Sequence, residues 1–216
     1  MGCTDRDCCY PCYRTTHRSI HMIAMLGGTF DPIHNGHLYI ATAALTVFSC
    51  DKILFVPNRE PVHRDHALAT ADERAEMVAF AIETNSAFQL CDIELERPAP
   101  SYTIDTIKTL SRLYEKEELA LILGSDAYAH FTEWLHFEEI LEYAKLIVVN
   151  RLNEGNTLTS DEQIDQTRVL SLDIEPYPIS STDVRQHIRD HETIDDLVPD
   201  AVQAYIVENG LYSYSC

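Results

Sequence analysis

The chain has 216 residues, enough for one substantial α/β core or at most two small domains. Its 16 Lys and Arg against 35 Asp and Glu give a formal charge of −19, which argues against non-specific binding to nucleic acid or an anionic membrane. An apolar fraction of 45% is ordinary for a soluble globular protein, and no apolar run approaches the roughly 18–20 residues that span a bilayer.

Residues 1–20 are polar and Cys-rich, without the apolar centre of a signal peptide, and read as a tail outside the fold; residues 21–216 are expected to form a single domain. The start Met1-Gly2-Cys3 would suit acylation, but Arg6 stands where that pattern wants Ser or Thr. Cys9-x-x-Cys12 followed by His17 and His21 offers four zinc-type ligands, although only four residues separate the Cys pair from the first His; a disordered tail is the alternative. The scattered Cys50, Cys91 and Cys216 read as reduced thiols of a cytoplasmic protein.

The regular pattern begins at Met22. Met22–Leu26 is a short apolar run closed by Gly27-Gly28, as in a buried strand. Leu38–Phe48 is Ala-rich and apolar, which predicts a helix. Lys52–Val56 predicts a second strand stopped by Pro57, and 58–70 a polar loop. Thr70 is placed to cap a helix running to about Glu83. A third strand is expected over Phe88–Ile93 and a stiff loop over Arg97–Ser101. The apolar positions 104, 107, 110 and 113 predict a helix over Thr103–Tyr114. Leu119–Leu123 and Lys145–Val149 read as strands, Phe137–Tyr143 as a helix, 151–167 as an exposed connection, and Val169–Leu172 as a last strand. Strands alternating with helices imply a Rossmann-like, doubly wound α/β fold: a parallel sheet with helices on both faces and its ligand beyond the carboxyl ends of the strands.

The string Gly27-Gly28-Thr29-Phe30-Asp31-Pro32-Ile33-His34-Asn35-Gly36-His37 falls at such an end. The glycines let backbone approach a ligand, and the helix starting near Gly36 turns free N–H groups and its positive dipole end toward the same spot. His34 and His37, three apart, share a face and can donate to phosphoryl oxygens; alone they could equally be metal ligands or partners of the backbone. Near the other end, Ile179-Ser180-Ser181-Thr182-Asp183-Val184-Arg185 offers hydroxyls and N–H groups at a helix start with a guanidinium one turn on, an arrangement suited to polyphosphate. In so acidic a chain cations must be gathered locally, and Lys52, Arg59, Arg64 and Arg185 are the candidates.

Together these strings resemble the two signatures of the nucleotidyltransferase superfamily, the first with a His-x-Gly-His core and the second Ile-Ser-Ser-Thr-x-x-Arg. The preceding Gly-Gly-Thr-Phe-Asp-Pro resembles bacterial nicotinate-nucleotide adenylyltransferases, as do Pro100-Ser101-Tyr102-Thr103, Gly124-Ser125-Asp126 and Phe131-x-x-Trp134. Pro57-Asn58 with His63 and Arg64 matches that family's substrate loop, where Val62 replaces a frequent second Pro. The resemblance runs from about Met22 to Tyr212.

It implies adenylyl transfer from ATP to nicotinate mononucleotide, giving deamido-NAD and pyrophosphate in NAD biosynthesis. His37 would meet the developing charge on the α-phosphate, with His34 and Arg185 on the outer phosphates. Gly28, Thr29, Phe30, Gly36, Ile179, Ser180 and Ser181 would hold the rest of ATP. Asn58, His63, Tyr102, Thr103, Asp126 and Trp134 are the candidates for the mononucleotide, Trp134 by stacking on the pyridine ring. Mg²⁺ is expected with ATP, held mainly by phosphates and water, with no protein metal site. Partners are these two small molecules rather than nucleic acid or membrane, and oligomeric state is open, a homo-oligomer included. Alternatives are a relative acting on nicotinamide mononucleotide, phosphopantetheine or a choline-type phosphate, and a non-catalytic nucleotide sensor.

Overall fold

The computed structural model describes residues 21–60, 67–98, 100–151 and 163–213. In chain order the elements are β1 (Met22–Gly28), α1 (Asn35–Val47), β2 (Lys52–Pro57), α2 (Ala71–Ile82), β3 (Phe88–Leu90), α3 (Thr103–Leu113), β4 (Glu118–Gly124), α4 (Ser125–Ala129), α5 (Phe137–Tyr143), β5 (Ala144–Arg151), β6 (Val169–Ile174), α6 (Ser181–Arg189) and α7 (Asp200–Glu208). Short 3₁₀ turns at Phe131–Glu133 and Gln166–Arg168 join them.

The six strands form one sheet in the order β3-β2-β1-β4-β5-β6, every neighbouring pair parallel. Parallel strands covered on both faces must be apolar on both, and the runs are: Ile53 to Phe55 and Leu146 to Val148 are all at most 1% exposed. Two apolar layers result. Ala24, Leu26, Ile53 and Phe55 face the layer under α1, α2, α6 and α7, whereas Ile23, Met25, Leu54 and Leu121 face the layer under α3, α4 and α5. The strand order reverses between β1 and β4, where such sheets open a crevice at their carboxyl edge.

Local chemistry fixes the boundaries. Thr70 caps α2 as expected: its Oγ1 accepts from Glu73 N at 3.3 Å, and Glu73 Oε2 accepts from Thr70 N at 2.7 Å. β3 stops at Leu90 rather than Ile93, because Leu95 N donates to Asp92 O in a turn that takes the chain off the ladder. Two helices escape the periodicity reading. α4 has five residues, too few to show a period. α7 mixes buried Val202 and Ile206 with an exposed Val207.

No helix among the described residues is long and apolar enough to cross a membrane. Cys50 and Cys91 are free thiols, and burial pushes the Cys50 thiol up to about 11, which keeps it protonated. Of the four zinc-type ligands, Cys9, Cys12 and His17 lie outside the described residues; His21 bonds Asp51 Oδ1 at 3.0 Å.

Candidate active site

Gly28, Pro57 and Gly124 end their strands along one edge of the sheet, with Val149 of β5 level with Gly124. A cleft of about 1100 Å³ opens there, lined on one side by Gly28, Thr29, His34 and His37, and on the other by Ser180, Ser181, Thr182 and Arg185. The two strings at opposite ends of the sequence therefore face each other across one cavity.

The first wall is shaped by close packing. Phe30 adopts φ 51° and turns its ring into the core, 2% exposed; a Cβ on Gly28 would stand 3.1 Å from that ring. The Phe30 ring meets the His37 imidazole edge-on at 5.0 Å, so the Phe30 side chain props a histidine and only its backbone is left for a ligand. His34 caps α1 and is 6% exposed. Its ring lies 3.8 Å from that of His37, tilted by 31°. A Cβ on Gly36 would come to 3.0 Å from the His34 ring, so a side chain at 36 would push that ring aside.

These contacts set the protonation pattern. Burial lowers His34 to about 4, only partly opposed by Asp183, so it is neutral at pH 7. His34 N donates to His37 Nδ1 at 3.3 Å, which places the proton of a neutral His37 on Nε2.

The second wall is the start of α6. Ser180 Oγ accepts from Asp183 N at 3.2 Å and donates to Asp183 Oδ2 at 2.7 Å, a capping arrangement that holds the Asp183 carboxyl below its ordinary range. Ser181 Oγ donates to Pro32 O at 2.9 Å. Arg185 donates to Asp31 O at 2.6 Å and to Thr182 Oγ1 at 3.2 Å. These bonds lash α6 to the loop after β1. The cavity is also lined by Ile40, Val149, Ile174 and Ile179, and by Tyr39 and Tyr177, whose rings lie 5.3 Å apart.

Asp31, Arg74 and Tyr212, to which the sequence assigns no role, come together behind the cleft. The buried Asp31 carboxylate accepts from Leu68 N at 2.9 Å, Ala69 N at 3.1 Å and Tyr212 Oη at 2.8 Å. It thereby joins the loop after β1, the segment before α2 and the far end of the fold. Burial and that carboxylate push the Tyr212 phenol upward. Arg74, on α2, reaches beneath the same loop.

Of the mononucleotide candidates, Asn58 lines the cleft, its Nδ2 donating to Thr29 Oγ1 at 3.3 Å. Tyr102, Thr103, Asp126 and Trp134 do not line it. They follow β3 and β4 over the other apolar layer, where Trp134 packs on Phe131 at 5.4 Å. His63 and Arg64 lie outside the described residues. Among the cations suggested for phosphate, Arg185 is in the cleft. Lys52 begins β2 at the opposite edge of the sheet, and Arg59 donates to Leu95 O at 2.7 Å and Arg97 O at 3.3 Å. Among the described residues no group of three His, Cys, Asp or Glu side chains is arranged to hold a metal ion.

A parallel α/β sheet with histidines and an arginine converging at its switch point defines a nucleotidyltransferase-type protein, and residues 25–187 match the family model described as Cytidylyltransferase-like. A Dictyoglomus thermophilum protein named "Probable nicotinate-nucleotide adenylyltransferase" is 42% identical over 192 residues, covering 88% of this chain and 98% of its own length. A protein of the same name from Shewanella sp. strain MR-7 is 36% identical over 208 residues, with the same coverage. The chain belongs to the cytidylyltransferase-like family and, within it, to the nicotinate-nucleotide adenylyltransferases. Its fold is that of Plasmodium falciparum nicotinic acid mononucleotide adenylyltransferase complexed with NaAD, with a TM-score of 0.71 at 22% identity over 89% of this chain and 97% of that one.

Proposed function

We propose that residues 21–216 form the catalytic unit of a cytoplasmic enzyme that transfers the adenylyl group of ATP to nicotinate mononucleotide, releasing deamido-NAD and pyrophosphate. The observation that carries this reading is the stacked His34–His37 pair facing Arg185 across one cleft. The 5′-phosphate of the mononucleotide attacks the α-phosphorus, and the bond from that phosphorus to the bridging oxygen breaks. The nucleophile is already an anion and pyrophosphate leaves as one, so alignment and charge stabilisation do the chemistry. His37 donates from Nε2 to an α-phosphate oxygen. His34, held neutral by burial, and Arg185 contact the outer phosphates. The apolar lining of Ile40, Val149, Ile174 and Ile179, with the paired rings of Tyr39 and Tyr177, suits the purine. Gly28, Thr29, Phe30, Gly36, Ile179, Ser180 and Ser181 hold ATP through backbone and hydroxyl groups.

Asn58 and, outside the described residues, His63 take the mononucleotide from the β2 side. Tyr102, Thr103, Asp126 and Trp134 take it from the β4 side. Mg²⁺ would enter with the nucleotide and would supply charge neutralisation to the phosphates that Arg185 and the hydroxyls of Ser180 and Ser181 hold.

The test is pyrophosphate release from ATP with nicotinate mononucleotide, nicotinamide mononucleotide or phosphopantetheine as acceptor. The highest kcat/KM is expected for the nicotinate acceptor; a higher value for another acceptor overturns the substrate, and no release with any overturns the activity. Chelation by EDTA should abolish turnover and added Mg²⁺ restore it.

A further inference from the structure

Arg74 is the largest fully buried side chain of the described residues, 1% exposed, in a chain that carries a net charge of −19. It sits on the buried stripe of α2 with Met77, Val78 and Ala81, where an aliphatic residue would ordinarily pack. Buried guanidinium groups are normally matched to a carboxylate. Arg74 instead spends its hydrogen bonds on neutral acceptors. Nη1 donates to Thr29 O at 2.6 Å and reaches Asn58 Oδ1 at 3.5 Å; Nη2 donates to Arg59 O at 2.9 Å.

Those acceptors lie in two different loops. Thr29 belongs to the loop after β1, on the ATP wall, and Asn58 and Arg59 to the loop after β2, on the mononucleotide side. The loops touch each other directly through Asn58 N to Gly28 O at 3.0 Å and Asn58 Nδ2 to Thr29 Oγ1 at 3.3 Å. Every one of these groups is within one residue of a cleft-lining position, and the guanidinium lies behind them, out of solvent.

We propose that Arg74 is a positioning residue that couples the two substrate subsites, one guanidinium fork fixing the β1 loop against the β2 loop so that both phosphates are held in register. The planar fork suits the task, because its nitrogens reach carbonyls on two chains at once. A lysine would bring the charge but only one compact donor head. Burial draws Arg74 below the ordinary arginine value, with Asp31 opposing, yet a guanidinium stays charged. The clamp therefore also leaves a fixed positive charge under the cleft floor, which favours two anionic ligands in an otherwise acidic protein.

The inference rests on the substrates proposed above. Its test uses the full chain and reads binding apart from turnover: calorimetric Kd values for a non-reactive methylene analogue of ATP and for nicotinate mononucleotide, each alone, with pyrophosphate release measured separately. Arg74→Lys should weaken both ligands about tenfold or more. Asn58→Ala, a half-buried position that spares the core, should weaken the ATP analogue several-fold as well as the mononucleotide. For the ATP analogue, the double variant should lose no more than Arg74→Lys alone. If Arg74→Lys does not fold, the ATP analogue's response to Asn58→Ala decides. Wild-type affinity for both ligands in Arg74→Lys, an effect of Arg74→Lys confined to one ligand, or additive losses of the ATP analogue in the double variant would overturn the coupling. A wild-type protein that binds both ligands yet releases no pyrophosphate would overturn the functional reading and leave the clamp standing.

Discussion

The two sides of the sheet's carboxyl edge are built differently. On the side under α1 and α6, the groups around the cleft are buried and cross-tied: Asp31 to three donors, Arg185 to the Asp31 carbonyl, Arg74 to two loops, His34 stacked on His37. On the side under α3 and α4, Tyr102 is 37% exposed, Asp126 is exposed and Trp134 is half-buried. A preorganised wall suits a reaction that depends on charge stabilisation, since donors already in place cost no reorganisation. An open wall suits a face that selects the shape of an incoming ring. The difference fits the proposal that chemistry and specificity fall to separate faces of one sheet.

The strongest way to break that comparison is at His37. His37→Ala should lower kcat by two to three orders of magnitude with the fold intact, since one preorganised donor to a developing oxyanion is worth about 3–4 kcal/mol. Steady-state pyrophosphate release with circular dichroism as the fold control measures it; near-normal kcat would remove His37 from the reacting phosphate.

Next in size is the acid response of His34. Its folded value, about 4, lies below the ordinary 6.5, so the unfolded chain takes up the proton first as pH falls. Stability should therefore decline from about pH 6.5 down to 4. The loss is about 3 kcal/mol, at about 1.4 kcal/mol for each tenfold change in proton affinity. Denaturant unfolding of wild type and His34→Gln across that range checks the sign: the variant should show the shallower decline, and parallel curves would count against a buried neutral His34.

On the open side, Trp134→Ala should raise KM for the mononucleotide several-fold and leave KM for ATP nearly unchanged, as stacking is worth about 1 kcal/mol. Equal effects on both substrates would erase the division between the walls. Smallest is Thr70→Ala, which removes the cap of α2 just ahead of Arg74. It should cost about 1 kcal/mol of stability with unchanged KM values; a shifted KM would mean that the helix end, and not only its buried arginine, sets the loops.

The sheet and the site were unequally legible in the sequence. Four of the six strands, β1, β2, β4 and β5, stand out as apolar runs, because strands covered on both faces cannot alternate. The histidines and Arg185 were legible because their spacing at a helix start has a chemical meaning of its own. Arg74 and Tyr212 were not, because their partners are main-chain carbonyls and a carboxylate 15, 45 and 181 residues away. For Arg74 a sign existed: with Met77, Val78 and Ala81 it completes the apolar stripe of α2, and a cation on such a stripe asks for buried acceptors. Lys52 misled for the opposite reason. Charge alone does not tell one end of a strand from the other.

The Tyr212–Asp31 bond has a consequence for the making of the protein. It spans 181 residues and the Arg185–Asp31 contact spans 154, so the loop after β1 leaves the ribosome long before the segments that complete it. A nascent chain has the glycines and histidines of that loop early, but the cleft they line takes shape only once residues 180–212 have followed.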